Sequence, residues 1–131
     1  MPTKSQITGM RGVYLAAAEL ARRGLIASPT SRSAAGADIL ITDDKCRMAY
    51  SVQVKTTASG YKYWLLNAKA KDVKSRSHLY MFVDIHDEDG TVKFYIVPSA
   101  KVAQHHDIVR QPKHIWYSFS REKAEKHHIE L

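Results

Sequence analysis

The alternation of apolar and polar positions is sharpest in one stretch, residues 36–57, GADILITDDKCRMAYSVQVKTT. An apolar run, Ile39-Leu40-Ile41, follows Asp38, and a charged turn, Thr42-Asp43-Asp44-Lys45, follows the run. Residues 48–57 then carry side chains that suit a pleated surface, so the stretch predicts a β-hairpin. Successive side chains of a strand point to opposite faces. Val52 and Val54 therefore share one face of the second strand, and Gln53 and Lys55 share the other. A lysine beside an amide in an apolar strand is costly to bury unless a polar group meets it, and Asp38 heads the partner strand where it could do so. A solvated face of an antiparallel hairpin accounts for the same residues.

Upstream, Val13, Ala16, Ala17, Leu20 and Ala21 recur at helical spacing and predict an amphipathic helix over residues 8–23. Gly24 suits the position past the C-cap, and Arg22-Arg23 suit the negative end of the helix dipole. Pro29 stops a short run begun by Leu25 and Ile26, and residues 28–36 read as a small, polar loop holding Arg32. Downstream, residues 58–60 form a turn, and Tyr61, Tyr63 and Leu65 alternate with Lys62, Trp64 and Leu66 as a third strand. Residues 67–77 are too polar for a core element. Residues 79–85, LYMFVDI, read as a buried strand, and Asp89-Gly90 marks a hairpin to a returning strand over residues 92–97. Pro98 stops that strand, and Ser99 reads as the cap of a short helix ending at Gln104. Residues 115–119 read as a last strand and 122–128 as a short polar helix. Asp84 and Asp87 flank a turn, where acids are commonly solvated, so neither is read as a metal ligand. The order of elements predicts an α/β fold with a mixed central sheet flanked by helices. No repeat or internal boundary divides it, so residues 1–131 are expected to form one domain.

Composition narrows the setting. A chain of 131 residues, 44% of them hydrophobic, can bury a core of its own. No run approaches the roughly 18 apolar residues of a membrane span, and no signal peptide is visible, so a cytoplasmic protein is expected. The one cysteine, Cys46, excludes an internal disulfide and a cysteine-rich zinc site. Five of the seven histidines fall after residue 104, and the neighbouring pairs among them point different ways on a helix and chelate poorly. Lys and Arg number 20 against 13 acids, a net charge of +7, which points to a polyanionic partner, most often nucleic acid. Lys62, Lys69, Lys71, Lys74 and Arg76, interleaved with aromatics, are candidate contacts to phosphates and bases, and Arg32 is another from its loop. A solvated charge run accounts for the same residues.

Asp38, the hairpin, Gln53-x-Lys55 and the following Thr56-Thr57 together resemble the active-site core of the PD-(D/E)XK nuclease superfamily. In that family an Asp opens one strand, and an acidic residue and a lysine lie two apart on the next. Gln53 stands where Asp or Glu is usual, as in Mrr-type restriction endonucleases and certain intron-encoded homing endonucleases. Ala37 replaces the proline before Asp38. The helix string Gly12-x-Tyr14-Leu15-x-x-x-Glu19-Leu20-Ala21-x-x-Gly24 resembles the family's first helix, which offers a Glu toward a metal. Glu19 fits equally an ordinary helix carboxylate paired with Arg22 or Arg23. The resemblance covers about two-thirds of the chain and implies a restriction-endonuclease-like fold.

It also implies a divalent-metal-dependent endonuclease that hydrolyses phosphodiester bonds, with DNA as the expected substrate and Mg²⁺ or Mn²⁺ as the metal. Asp38, Gln53 and Glu19 would hold the metal with the Val54 carbonyl, and Lys55 would orient water and stabilise developing charge. A homodimer is expected by analogy and a membrane partner is not. The Gln53 departure keeps a second reading open, a nucleic-acid-binding module of the same fold with little or no catalysis. A third is a protein-interaction subunit of a restriction or toxin system.

Overall fold

The computed structural model of the chain describes residues 1–31, 36–58, 60–72 and 75–131. Helix α1 (Lys4–Arg22) begins a turn before its apolar stripe. Thr3 starts it: its hydroxyl accepts from Gln6 N, and the Gln6 side chain accepts from Thr3 N, a reciprocal capping box. Gly24, at φ 87°, ends the helix as its sequence position predicts. Its N–H donates to Ala21 O and that of Leu25 to Leu20 O, the paired bonds of a Schellman motif. Ala16 and Leu20 are fully buried, whereas Ala21, placed in the same stripe by spacing, faces solvent.

The predicted hairpin is present, as β2 (Ile39–Thr42) and β3 (Ala49–Thr57), with Ile39 opposite Val52. Strand β1 (Ile26–Pro29) adds to the outer edge of β2, where its terminal proline costs no central ladder bond. Strand β5 (His78–His86) lies parallel to β3, and β6 (Thr91–Pro98) returns beside it through the Asp89-Gly90 turn. The order is β1-β2-β3-β5-β6, a mixed sheet. Helix α1 packs on one face, over Ile39, Ile41, Val52, Val54, Met81 and Val83. Gly12 makes that approach close: a Cβ there would fall 1.8 Å from Thr56 Oγ1.

The opposite face departs from the single-sheet expectation. Strand β4 (Tyr63–Leu66), read as a member of the central sheet, pairs instead with β8 (His114–Ser120), which pairs with β7 (Asp107–Gln111). This three-stranded sheet covers the central one through an aromatic core. Trp64, Tyr80, Phe82 and Phe119 are buried, with the Phe82 ring stacked between those of Tyr80 and Phe119 at 5.6 and 5.1 Å. Fully burying each such side chain stabilises the fold by roughly 1.5–3 kcal/mol. The indole N–H of Trp64 donates to Val83 O at 3.0 Å, tying the two sheets together. Helix α2 (Ser99–His105) follows Pro98, but Ser99 does not cap it: its hydroxyl lies within the helix and donates to Ser75 O. Helix α3 (Arg121–His127) is capped by Ser120 Oγ, which accepts from Lys123 N.

Candidate active site

Asp38 lies just before β2, where the ladder to β3 runs out. Its N–H donates to Val52 O, and its carbonyl accepts from Thr30 N, so its backbone is held between β1 and β3. Its carboxylate oxygen Oδ2 then accepts from Val54 N at 2.7 Å, in place of a strand carbonyl. No described residue donates to Oδ1. The N–H and C=O of one residue leave a strand on the same side. The Val54 carbonyl therefore points to the same open edge, beyond the Ile39–Val52 pair.

Strand alternation holds as read from the sequence. Val52 and Val54 are buried under α1, and Ser51, Gln53 and Lys55 lie half-buried on the other face. Burial pushes the Lys55 ammonium below its ordinary value, and the Asp38 carboxylate opposes that shift. The structure thus brings Asp38 and Lys55 together, with Gln53 between them in sequence and on the lysine's face.

The structure also brings in a residue that sequence reasoning missed. His78 opens β5 directly opposite Ser51, is buried, and its Nδ1 lies 2.6 Å from Ser51 Oγ. Ser51 Oγ also lies 3.5 Å from Ser77 O, so the short contact to Nδ1 is the one that fixes the imidazole ring. Burial pushes the His78 imidazole below its ordinary value, again against the pull of Asp38. Beside it Tyr80 is pushed up to about 12 by burial and stays a neutral phenol. One carboxylate therefore acts electrostatically on a lysine and on a neutral imidazole.

Glu19 is otherwise engaged. Arg22 Nε and Nη2 donate to its carboxylate at 2.9 and 2.7 Å and Arg23 Nε at 2.8 Å. The Arg22 guanidinium above all, with Arg23 behind it, holds the Glu19 carboxyl at about 2. This is the helix pairing that the spacing allowed, and no described contact joins Glu19 to Asp38. Among the described residues no three His, Cys, Asp or Glu side chains gather to hold a metal.

The expectation of solvated acids at the β5–β6 turn holds for Asp87 alone, exposed and 3.0 Å from Arg11. Asp84 is fully buried, 3.0 Å from His86 Nε2 and 3.6 Å from Arg121 Nη1. Neither approach has hydrogen-bond geometry. Of the basic candidates, Lys62, Lys69, Lys71 and Arg76 are exposed, whereas Arg32 and Lys74 lie outside the described residues. Lys69 and Lys71 sit on a short 3₁₀ helix, Ala68–Lys71, anchored by buried Ala70, and Lys71 Nζ reaches to 5.9 Å from the Tyr117 ring.

No helix among the described residues is long and apolar enough to cross a membrane. No family model and no curated protein matches the sequence. Among solved structures, the chain is similar to Hjc, a Holliday junction resolvase of the archaeal hyperthermophile Archaeoglobus fulgidus. The match covers 91% of this chain and 88% of that one, at a TM-score of 0.58 and 12% identity. At that identity the likeness is one of fold, and it is the restriction-endonuclease-like fold that the Asp38, Gln53 and Lys55 pattern implied.

Proposed function

We propose that the chain is a divalent-metal-dependent nuclease that hydrolyses phosphodiester bonds in DNA. The observation that carries this reading is the Asp38 carboxylate, fixed on Val54 N with its second oxygen met by no described residue and with Lys55 within its field. Lys55 forms no ion pair with a described residue, and a half-buried ammonium within the field of a carboxylate suits a site for an anionic ligand and its metal.

The donors on this edge suit a hard cation: Asp38 Oδ1, the Gln53 side-chain oxygen and the Val54 carbonyl are all oxygens, and Mg²⁺ or Mn²⁺ prefers such ligands. A divalent ion there would polarise the phosphate and acidify water beside it. The remaining work falls to the chain. Lys55 would stabilise charge that develops on the phosphoryl oxygens. His78, its ring fixed by Ser51, would orient the attacking water through a hydrogen bond at Nε2. Lys62, Lys69, Lys71 and Arg76 would meet the phosphate backbone, along with Arg32 and Lys74. Glu19 would join the metal only by leaving Arg22 and Arg23. Cutting both strands takes two sites, which a two-fold pair of chains would supply.

The test is incubation of supercoiled plasmid with purified protein and Mg²⁺ or Mn²⁺, with a chelator control. Chelator-sensitive nicking or linearisation that is lost in Asp38→Ala supports the reading. Gln53 favours the alternative of a binder with little catalysis, because it removes one negative charge from the metal's surroundings. A mobility shift without cleavage would select that alternative.

A further inference from the structure

Beyond Lys55 the candidate site continues into a cleft of about 760 Å³. The first turns of α1 form one wall, with Lys4, Ser5 and Gly9, and the approach to β4 forms the other, with Tyr61 and Tyr63. Lys55 lines it as well, so one residue belongs both to the Asp38 edge and to the cleft. No carboxylate among the described residues lines it. The helix wall is open at Gly9, where a Cβ would meet nothing within 4 Å.

The two tyrosines are 57% and 44% exposed, and their ring centroids lie 5.9 Å apart at a tilt of 60°. Core packing does not require them. Strand alternation turns Trp64 inward to its bond with Val83, which turns Tyr63 out, and Tyr61 precedes the strand altogether. Two open aromatic faces beside two lysines make a surface for a flat, anionic polymer: rings stack on bases and ammonium groups meet phosphates.

The cleft falls in the size range of small-ligand sites, about 300–1,000 Å³, so a nucleotide or two fits within it. A duplex hides its base faces in its own stack, so a base reaches an aromatic side chain only after leaving it. We infer that this cleft receives unpaired nucleotides next to the phosphate held at Lys55, their bases on Tyr61 and Tyr63. The preferred DNA therefore carries a single-stranded segment at the cut site. The placement beside Lys55 rests on the nuclease reading; the binding preference does not.

Fluorescence anisotropy in EDTA tests it, with a labelled blunt duplex and the same duplex bearing a single-stranded overhang at either end. The parent should bind an overhang about tenfold more tightly than the blunt end, on the scale of base–aromatic stacking. Tyr61→Ala with Tyr63→Ala should erase that preference and leave blunt-duplex binding unchanged. Tyr61→Phe with Tyr63→Phe should keep it, since the rings remain. Equal binding of the two duplexes by the parent, or a preference that survives in the alanine pair, overturns the inference. Plasmid cleavage with Mn²⁺ is scored separately. A preference without cleavage sinks the nuclease reading alone, and cleavage without a preference sinks the cleft alone.

Discussion

Two acids, Asp38 beside the middle of β3 and Asp84 at the last pair of β3 with β5, are held in opposite ways. Asp84 is sealed: it is fully buried, and His86 and Arg121 stand against it within the fold. Asp38 is held differently: one oxygen accepts from a backbone N–H, the other is met by no described residue, and a half-buried lysine stands near. A carboxylate with an internal arginine as counter-charge is a device for holding elements together, here α3 against β5. A carboxylate whose second oxygen meets no described residue is one that can take a ligand. The contrast explains why burial of an acid alone is a poor guide to function, and why the more buried acid is not the better candidate.

The widest separation between the two acids should appear in cleavage. Asp38→Ala and Lys55→Ala should each lower plasmid cleavage by about 100-fold or more, as loss of a charge-stabilising group does. Asp38→Ala should cost only about 1 kcal/mol of stability, for the bond to Val54 N. Asp84→Ala should do the reverse. It leaves the half-buried Arg121 and His86 without their acid and should cost up to about 3 kcal/mol by urea unfolding, with cleavage per folded molecule near that of the parent. If Asp84→Ala stops cleavage while still folded, the distinction between the two acids collapses.

A smaller effect sharpens the Asp38 side of the comparison. Gln53→Glu restores the carboxylate that the sequence lacks, and a carboxylate binds a hard cation more strongly than an amide. Titration calorimetry with Mn²⁺ in the absence of DNA should show affinity raised by about tenfold. Unchanged affinity would place Gln53 away from the metal.

The surroundings of Asp38 were largely legible in the sequence, and those of Asp84 were not. Asp38, the hairpin and the Gln53-x-Lys55 alternation are local patterns, and β2 and β3 follow them closely. His78 escaped because its partner Ser51 is 27 residues away, across a parallel pairing that periodicity cannot register. The signal was present in part: Ser51 shares the face of Gln53 and Lys55, and β5 begins at a histidine. Asp84 was misread because its place near a turn suggests solvation, whereas Arg121 reaches it from α3, 37 residues on. Strand β7 escaped for another reason. DIVRQ is exposed almost throughout and presents no apolar face to detect. Strand β4 was visible as a strand, but its alternation does not say which sheet it joins.

Glu19 offers the finest division, because it has an acid's two futures in one residue. Its side chain is only 12% exposed, and Arg22 and Arg23 hold its carboxyl at about 2, below the ordinary 4.5. A depressed acid stabilises the fold above its unfolded value and loses that contribution as pH falls through the folded one. The Glu19 pairs should therefore stabilise fully above about pH 4.5 and fade toward pH 2. The Arg22 side chain is 71% exposed and its pair is screened, whereas Arg23 is 18% exposed, so the two pairs together contribute about 1 kcal/mol. Glu19→Gln should accordingly lower the melting temperature by about 4 °C or less at neutral pH. The gap to the parent should close as the pH approaches 2. A gap that stays constant over that range would mean the glutamine disturbs packing and the ion pairs contribute nothing. The same variant separates the two futures when titrated with Mn²⁺. Affinity equal to the parent's keeps Glu19 with its arginines, as Asp84 is kept with its own partners. Affinity lowered by about tenfold or more would show that Glu19 leaves them for the metal, and the Asp38 site would then gain a second carboxylate.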